Sequence, residues 1–236
     1  MVKAGDTIES PLAGSRIVFL KTARDTNDEL LQLDFFIKGG GRVPFEHVHP
    51  YQEERFEILS GTARFRVRGQ ESDAGAGQTV VVPAGTPHVW GNPGEEEVHA
   101  ILEFRPALKL ETWFETFFGL QRDGKVDPKK GRPNLLQWAV ISREYEGEIY
   151  LARPSLLVQR VMYGLLAPIG KLLGYKARYP EYSGEEEPLR EGREGEHPSG
   201  APGAMRGVIV VGVVGVVVAV VGLLLLRRRL RAGRRR

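Results

Sequence analysis

Residues 41–61, GRVPFEHVHPYQEERFEILSG, place two histidines one residue apart and two adjacent acids a few residues later. On an extended strand, residues two apart point to the same face, so His47 and His49 would project to one side. A carboxylate on the next strand could meet them there. Glu53 and Glu54 point to opposite faces of a strand, so only one of them could join the histidines. The stretch therefore indicates half of a metal site.

A second stretch, residues 77–92 with the sequence GQTVVVPAGTPHVWGN, could contribute the other half. A short apolar strand at residues 79–82 leads into a turn that contains Pro83 and Gly85. A single histidine, His88, follows just past this turn. The stretch therefore adds a third imidazole to the candidates.

The two stretches resemble the two signature motifs of the cupin superfamily, G-x5-HxH-x4-E-x6-G and G-x5-PxG-x2-H-x3-N. The resemblance covers about residues 15–106, and every motif position is filled. It implies a mainly β fold, a small double-stranded β-helix (jelly-roll) barrel with one divalent metal ion in its mouth. The family spacing favours Glu54 over Glu53. The implied metal ligands are His47, His49, Glu54 and His88.

Three neutral imidazoles and one carboxylate suit Mn, Fe, Ni, Co, Cu or Zn, and the donor set does not choose among them. Four protein ligands on an octahedral ion leave about two positions for water, substrate or dioxygen, as a catalytic metal requires. We expect metal occupancy to fall as the pH drops below the histidine range, because a protonated imidazole cannot coordinate.

Aromatic residues near the motifs are candidates for the walls of a substrate pocket, namely Phe45, Tyr51, Phe56 and Trp90. They would suit an apolar or aromatic small molecule. The alternative is that most of them are ordinary barrel core. No second acid, base or nucleophile stands out, so the catalytic residues stay unassigned. Two classes remain open: a metal-dependent enzyme, such as an oxygenase or isomerase, and a non-catalytic sensor or binding module.

Beyond Pro106 the apolar periodicity changes from that of strands to that of helices. Six residues from Leu110 to Gln121 share one helical stripe, and a second helix is predicted from Asn134 to Glu146. Both helices are interpreted as cover for the barrel. The predicted division is a cupin barrel (1–106), a helical extension (107–178), an acidic Gly/Pro-rich linker (179–206), a transmembrane helix (207–226) and an Arg-rich tail (227–236).

Residues 207–226, GVIVVGVVGVVVAVVGLLLL, have no polar side chain. As a helix they would span roughly 30 Å, one bilayer core, so we predict a C-terminal membrane anchor. Gly215 and Ala219 form a small-xxx-small pair that could pack two such helices into a homodimer.

Residues 155–175 are apolar but contain two cations and Pro168, which makes them a poor solitary span. They could lie in the membrane interface as a basic amphipathic helix, or pack against the other helices. The arginine tail favours the cytoplasmic side, and the N-terminus lacks the apolar region of a signal peptide. A membrane hairpin with residues 155–175 as its first arm would reconcile these signals and place the barrel on the cytoplasmic side.

The net charge of +3 comes from the tail, because residues 206–236 carry eight arginines and no acid. Residues 1–205 therefore have a net charge of −5, eight below the total. The high isoelectric point is thus no argument for nucleic-acid binding. The absence of cysteine excludes disulfides, thiolate zinc sites and cysteine nucleophiles.

Overall fold

The computed structural model describes residues 1–183, and in them the fold is mainly β. One antiparallel sheet has six strands in the order β1-β2-β3-β10-β5-β8, and a second has five in the order β11-β4-β9-β6-β7. The strands are β1 (Thr7–Ser10), β2 (Ser15–Lys21), β3 (Leu31–Ile37), β4 (His47–Val48), β5 (Glu53–Ser60), β6 (Thr62–Val67), β7 (Gln70–Gly75), β8 (Thr79–Val82), β9 (His88–Gly91), β10 (Val98–Arg105) and β11 (Tyr150–Leu151).

Alternation of apolar and polar residues determines which side of each sheet faces the core. In β6, Ala63 and Phe65 are buried while Arg64 and Arg66 are exposed, as the sequence predicts. β3 and β10 pair in register and alternate in the same way. The predicted strand at residues 79–82 is confirmed to the residue as β8.

The predicted helical extension contains three helices, α1 (Leu110–Arg122), α2 (Leu135–Glu144) and α3 (Leu156–Leu172). The side chain of Asn134 caps α2 by accepting hydrogen bonds from the backbone N–H groups of Leu136 and Gln137, each at 3.1 Å. The extension also adds a strand, because β11 pairs with β4. Residues 180–182, assigned to the linker by sequence, form a short 3-10 helix in which Tyr182 packs on Gly119 of α1.

Helix α3 has two different faces. Residues including Gln159, Tyr163 and Leu166 are buried, and the helix packs on α2. The opposite face exposes Leu157, Val161, Leu165 and Leu172. Packing against another helix therefore accounts for one face, and the other face is exposed in the described residues.

The structure bears on one form of the hairpin hypothesis, in which residues 155–175 cross the membrane as its first arm. Among residues 1–183, no helix has both the length and the apolarity needed to cross a bilayer. Helix α3 has only 17 residues, and its polar Gln159 is buried in the protein. The predicted transmembrane helix (207–226), the Arg-rich tail (227–236) and most of the linker lie outside the described residues.

Candidate metal centre

The structure brings the four predicted ligand side chains together from three strands and one loop. His47 lies on β4 directly opposite His88 on β9, Glu54 lies on β5, and His49 follows β4. All four residues are buried, and one ligand atom from each lies within 4.8 Å of all the others. Ligands at about 2.1 Å from a common ion are about 3–4 Å apart, so the cluster has nearly this spacing.

Backbone carbonyl groups orient all three imidazoles. The Nδ1 atoms of His47, His49 and His88 lie 3.2, 2.8 and 3.0 Å from the carbonyl oxygens of Phe45, Glu148 and Thr86, respectively. Each Nδ1–H donates to a carbonyl, which leaves the lone pair on Nε2. Such fixed tautomers are typical of metal-ligating histidines. The donor set therefore fits a divalent metal ion.

Strand parity allows only one of the adjacent acids Glu53 and Glu54 to face the histidines, and in the structure this acid is Glu54. Its Oε2 atom lies 2.7 Å from Nε2 of His88 and 3.6 Å from Nε2 of His49. Glu53 is exposed on the opposite face of β5. The carboxylate that meets the histidines is thus Glu54, the acid that the family spacing favours.

Burial and the neighbouring carboxylate act on the imidazoles in opposite directions. Burial lowers the pKa of His47 well below its usual value, and positive charge on His88 or His49 would lower it further. Burial also lowers the pKa of His49, despite Glu54. For His88, burial is outweighed by the charge and hydrogen bond of Glu54, so its pKa is raised. Burial thus favours the neutral, coordinating form of His47 and His49, whereas the carboxylate of Glu54 favours the protonated form of His88.

His47, His49 and Glu54 form part of the wall of a mostly apolar cavity of about 620 Å³, a volume that includes its opening to solvent. One side of the cavity comes from the barrel and the other from α1. The aromatic lining residues are Phe35, Phe45, Trp90, Phe104, Trp113, Phe114, Phe117 and Phe118.

Two of the four predicted pocket residues, Phe45 and Trp90, line this cavity. Phe56 is fully buried and packs edge-on against Phe65 and Trp90, and it is absent from the lining. Tyr51 is 67% exposed and likewise does not line the cavity.

The sequence interpretation missed the contribution of α1. Four aromatic residues from its buried stripe lie against the ligand cluster's cavity rather than merely covering the barrel. The sequence feature that could have indicated this role is the aromatic content of the stripe, since Trp113, Phe114, Phe117 and Phe118 fall within six residues. His99 lies outside the cluster, where it stacks on Phe36 and contacts Asp34.

Comparisons with known proteins agree with this geometry. A family profile described as "Cupin domain" matches residues 34–103. A protein of Arthrobotrys oligospora named an oxidoreductase is 26% identical over 161 residues, which cover 62% of each chain. The probable oxidoreductase virH of Hypocrea virens is 30% identical over 159 residues, which cover 62% of this chain and 70% of the relative. The chain spans less than two thirds of the length of the first relative.

Among solved structures, a predicted oxalate decarboxylase from Thermotoga maritima is similar with a TM-score of 0.40 and 18% identity. The match covers 45% of this chain and 98% of that one. The chain belongs to the cupin superfamily, in the family that includes the Hypocrea virens relative.

Proposed function

We propose that this protein is a metal-dependent oxidoreductase that acts on a small, largely apolar molecule. The observation that supports it best is the buried cluster of three imidazoles and one carboxylate in the wall of an aromatic cavity. A ligand in the cavity would contact both the apolar walls and the metal position. Such a combination of apolar walls and a few polar groups is typical of small-molecule sites.

The chain's own residues have distinct tasks in this proposal. His47, His49, Glu54 and His88 would hold one divalent ion, which supplies Lewis-acid or redox chemistry when bound. The aromatic residues of α1 exclude water from the cavity and orient an apolar substrate. The carbonyl groups behind the imidazoles prevent ring rotation, which keeps the ligand set preorganised.

Two considerations favour redox chemistry. The relatives are named as oxidoreductases, although those names describe the relatives. Among the residues lining the cavity, the ionisable side chains are the candidate ligands and Arg42. No separate general acid or base therefore stands beside the metal position. Mn, Fe, Ni, Co or Cu fits this proposal better than Zn, which has no redox chemistry.

The same lack of a separate acid or base also favours a second candidate, a non-catalytic module that binds a small molecule and reports its presence. In that case the ion would orient the ligand without turning it over. Turnover therefore separates the two candidates, whereas metal content alone does not.

The first experiment measures metal content by mass spectrometry in natively purified protein. We expect about one ion per chain, and we expect His88→Ala and Glu54→Ala to lose most of it. The matched control is His99→Ala, because His99 lies outside the cluster and should not affect occupancy. Equal metal content in all three variants and the unchanged protein would reject the metal centre.

The second experiment measures dioxygen uptake by the metal-loaded protein with a panel of aromatic and aliphatic molecules. Uptake that depends on one class of molecule and is lost in His88→Ala supports the oxidoreductase. Saturable binding without uptake or product formation supports the non-catalytic module instead.

We also propose that the protein associates with membranes. The support is the exposed apolar face of α3, with the exposed basic residues Arg160 and Lys171 to one side of it, and the apolar stretch at 207–226. Location of the barrel on the cytoplasmic side is part of this proposal, and protease digestion of sealed right-side-out vesicles tests it. A homodimer through Gly215 and Ala219 lies outside the described residues and stays a prediction.

A further inference from the structure

Two buried residues connect the ligand cluster to the start of α1, and the first of them is Glu148. Its backbone carbonyl oxygen lies 2.8 Å from Nδ1 of His49 and accepts the hydrogen bond of that ring. Its carboxylate Oε2 accepts a hydrogen bond from the backbone N–H of Lys109 at 3.1 Å, and Lys109 directly precedes α1. Glu148 thus contacts a candidate metal ligand with its main chain and the start of the helix with its side chain.

Gln52 makes a second connection between the same two places, and it is 1% exposed. Its Nε2 atom donates to the carbonyl oxygens of Pro106 at 3.0 Å and Ala107 at 2.9 Å. Its Oε1 atom is buried and accepts no well-aligned hydrogen bond in the part of the chain that the structure describes. Burial lowers the pKa of the nearby His49, and the Gln52 side chain acts in the opposite direction. Gln52 is therefore shared between this ring and the segment that leads into α1.

The backbone between these two anchors has an unfavourable conformation. Leu108 has a φ of 51°, in the left-handed region that residues other than glycine rarely adopt. Such a conformation persists only when the surrounding structure holds it. On one side of Leu108, Gln52 holds the carbonyl of Ala107. On the other side, Glu148 holds the N–H of Lys109. The two residues therefore fix the turn from which α1 starts.

The first turn of α1 depends on these contacts, because the helix has no cap of its own at this end. The side chain of Lys109, at the cap position, makes no capping hydrogen bond. Leu110, the first residue of α1, is fully buried and lines the aromatic cavity, as does Trp113 one turn later. The position of this part of the cavity wall therefore depends on the hydrogen-bonding groups that Gln52 and Glu148 supply.

His49 is the candidate ligand through which this connection can act. The carbonyl groups that orient His47 and His88 belong to residues two positions before each ring, within the barrel. The carbonyl that orients His49 belongs instead to the helical extension, at Glu148. Coordination at Nε2 of an imidazole fixes the ring and with it the Nδ1–H that its partner accepts. Metal binding should therefore act on Glu148 and, through its carboxylate, on the start of α1.

We propose that Gln52 and Glu148 are positioning residues that couple metal binding at His49 to the seating of α1 over the aromatic cavity. This inference rests on the proposed function and concerns the regulation of the same site. Because coupling between two sites is reciprocal, a seated α1 also strengthens metal binding. The cavity is thus fully formed when the centre holds its ion, so that an apolar substrate binds to the loaded protein in preference to the unloaded one.

The test follows hydrogen exchange of residues 106–114 by mass spectrometry, in the full chain in detergent with and without Co²⁺. The absorbance of bound Co²⁺ shows when the centre is saturated. In the unchanged protein, Co²⁺ should slow exchange in this segment about fivefold or more. In Gln52→Met and in Glu148→Met, the slowing should fall below about twofold, because the link to α1 is lost while the four metal ligands remain.

Two further variants separate positioning from a merely structural role. Glu148→Gln keeps a side-chain oxygen that can accept the N–H of Lys109, so it should retain the slowing by Co²⁺. The matched control Gln32→Met removes a glutamine from the outer face of β3, where its Nε2 donates to Glu103 at 2.9 Å, and it should also retain the slowing. A structural loss alone would speed exchange by the same factor with and without Co²⁺.

Equal slowing in Gln52→Met, Glu148→Met and the unchanged protein would overturn the inference. An unchanged protein that takes up Co²⁺ without any slowing at residues 106–114 would overturn it as well, as would faster exchange in the two methionine variants that is independent of Co²⁺. These outcomes leave the metal centre intact. Failure of the proposed function is distinguishable, because it would appear as no uptake of Co²⁺, or as no turnover of any molecule in the panel.

Discussion

Helices α1 and α3 are both rich in apolar residues, but the protein uses them differently. Nearly all of α1 is buried, including the carboxylates of Glu111 and Glu115. Helix α3 buries only the face that meets α2 and leaves Leu157 and Leu165 more than half exposed. Apolar content alone therefore does not show whether a helix completes a binding site or offers a surface to another phase.

The largest difference is expected in stability. Phe117→Ala on α1 removes a side chain that is 3% exposed, and we expect it to lower the free energy of unfolding by about 3 kcal/mol. Leu165→Ala on α3, where the side chain is 51% exposed, should change it by less than about 0.5 kcal/mol. Urea denaturation of the two variants measures both values. Similar losses in both would break the comparison.

The next effect concerns the buried acid on α1. Burial raises the pKa of Glu115 to about 7, whereas an unfolded chain would have a value near 4.5. The unfolded state therefore ionises first as the pH rises, and the resulting loss of stability develops between these two values and persists above pH 7. Glu115→Gln should therefore raise the free energy of unfolding by about 2 kcal/mol at pH 8, and should leave it almost unchanged at pH 4.5.

Denaturation curves of this variant and the unchanged protein at both pH values provide the measurement. A packing change would alter the free energy of unfolding equally at both pH values, so the part of the effect that differs between them comes from ionisation of Glu115. A stability difference that is independent of pH would show that Glu115 does not titrate in this range.

A smaller effect should appear at the membrane. The compact unit Met1–Glu187 contains α3 without the apolar stretch at 207–226. We expect Leu165→Ser to weaken its binding to phosphatidylcholine and phosphatidylserine vesicles about tenfold, because an inserted leucine side chain is lost. The control is Leu59→Ser, at an exposed leucine on the barrel. Equal co-sedimentation of both variants with vesicles would contradict an interfacial role for α3.

The smallest expected effect is a difference in stability between substitutions at the N-termini of α2 and α3. The side chain of Asn134 caps α2, so Asn134→Ala should lower stability by about 1 kcal/mol. Ser155 precedes α3 but its side chain makes no capping hydrogen bond, so Ser155→Ala should be nearly neutral. Thermal unfolding of the two variants measures the difference. An equal loss in both would show that α3 depends on its N-terminus as much as α2 does.

The barrel and the ligand cluster were predictable because both depend on short-range regularities. Strand parity places His47 and His49 on one face, and excludes one of the two acids from joining them. Alternation along β3 and β6 likewise indicates their buried sides. These regularities are local, so a single sequence displays them.

The pocket was less predictable because its lining depends on how deep each side chain lies in the barrel and on contacts between residues that are far apart in the sequence. Phe56 has the same inward parity as Glu54 but lies behind Trp90, and parity carries no information on depth. Tyr51 lies in the loop between β4 and β5, where strand parity does not apply. The carbonyl that orients His49 belongs to Glu148, which is 99 residues away. No local pattern indicates such a partner.

The short pairing of β11 with β4 affects where the protein can be divided. Tyr150 and Leu151 cover the edge of the strand that carries His47, and the neighbouring Glu148 holds the ring of His49. The family match ends at residue 103, before Glu148, Tyr150 and Leu151. An excised fragment with only the matched residues would have an uncovered sheet edge beside a loosened ligand. The smallest segment that retains an ordered centre therefore extends at least to Leu151.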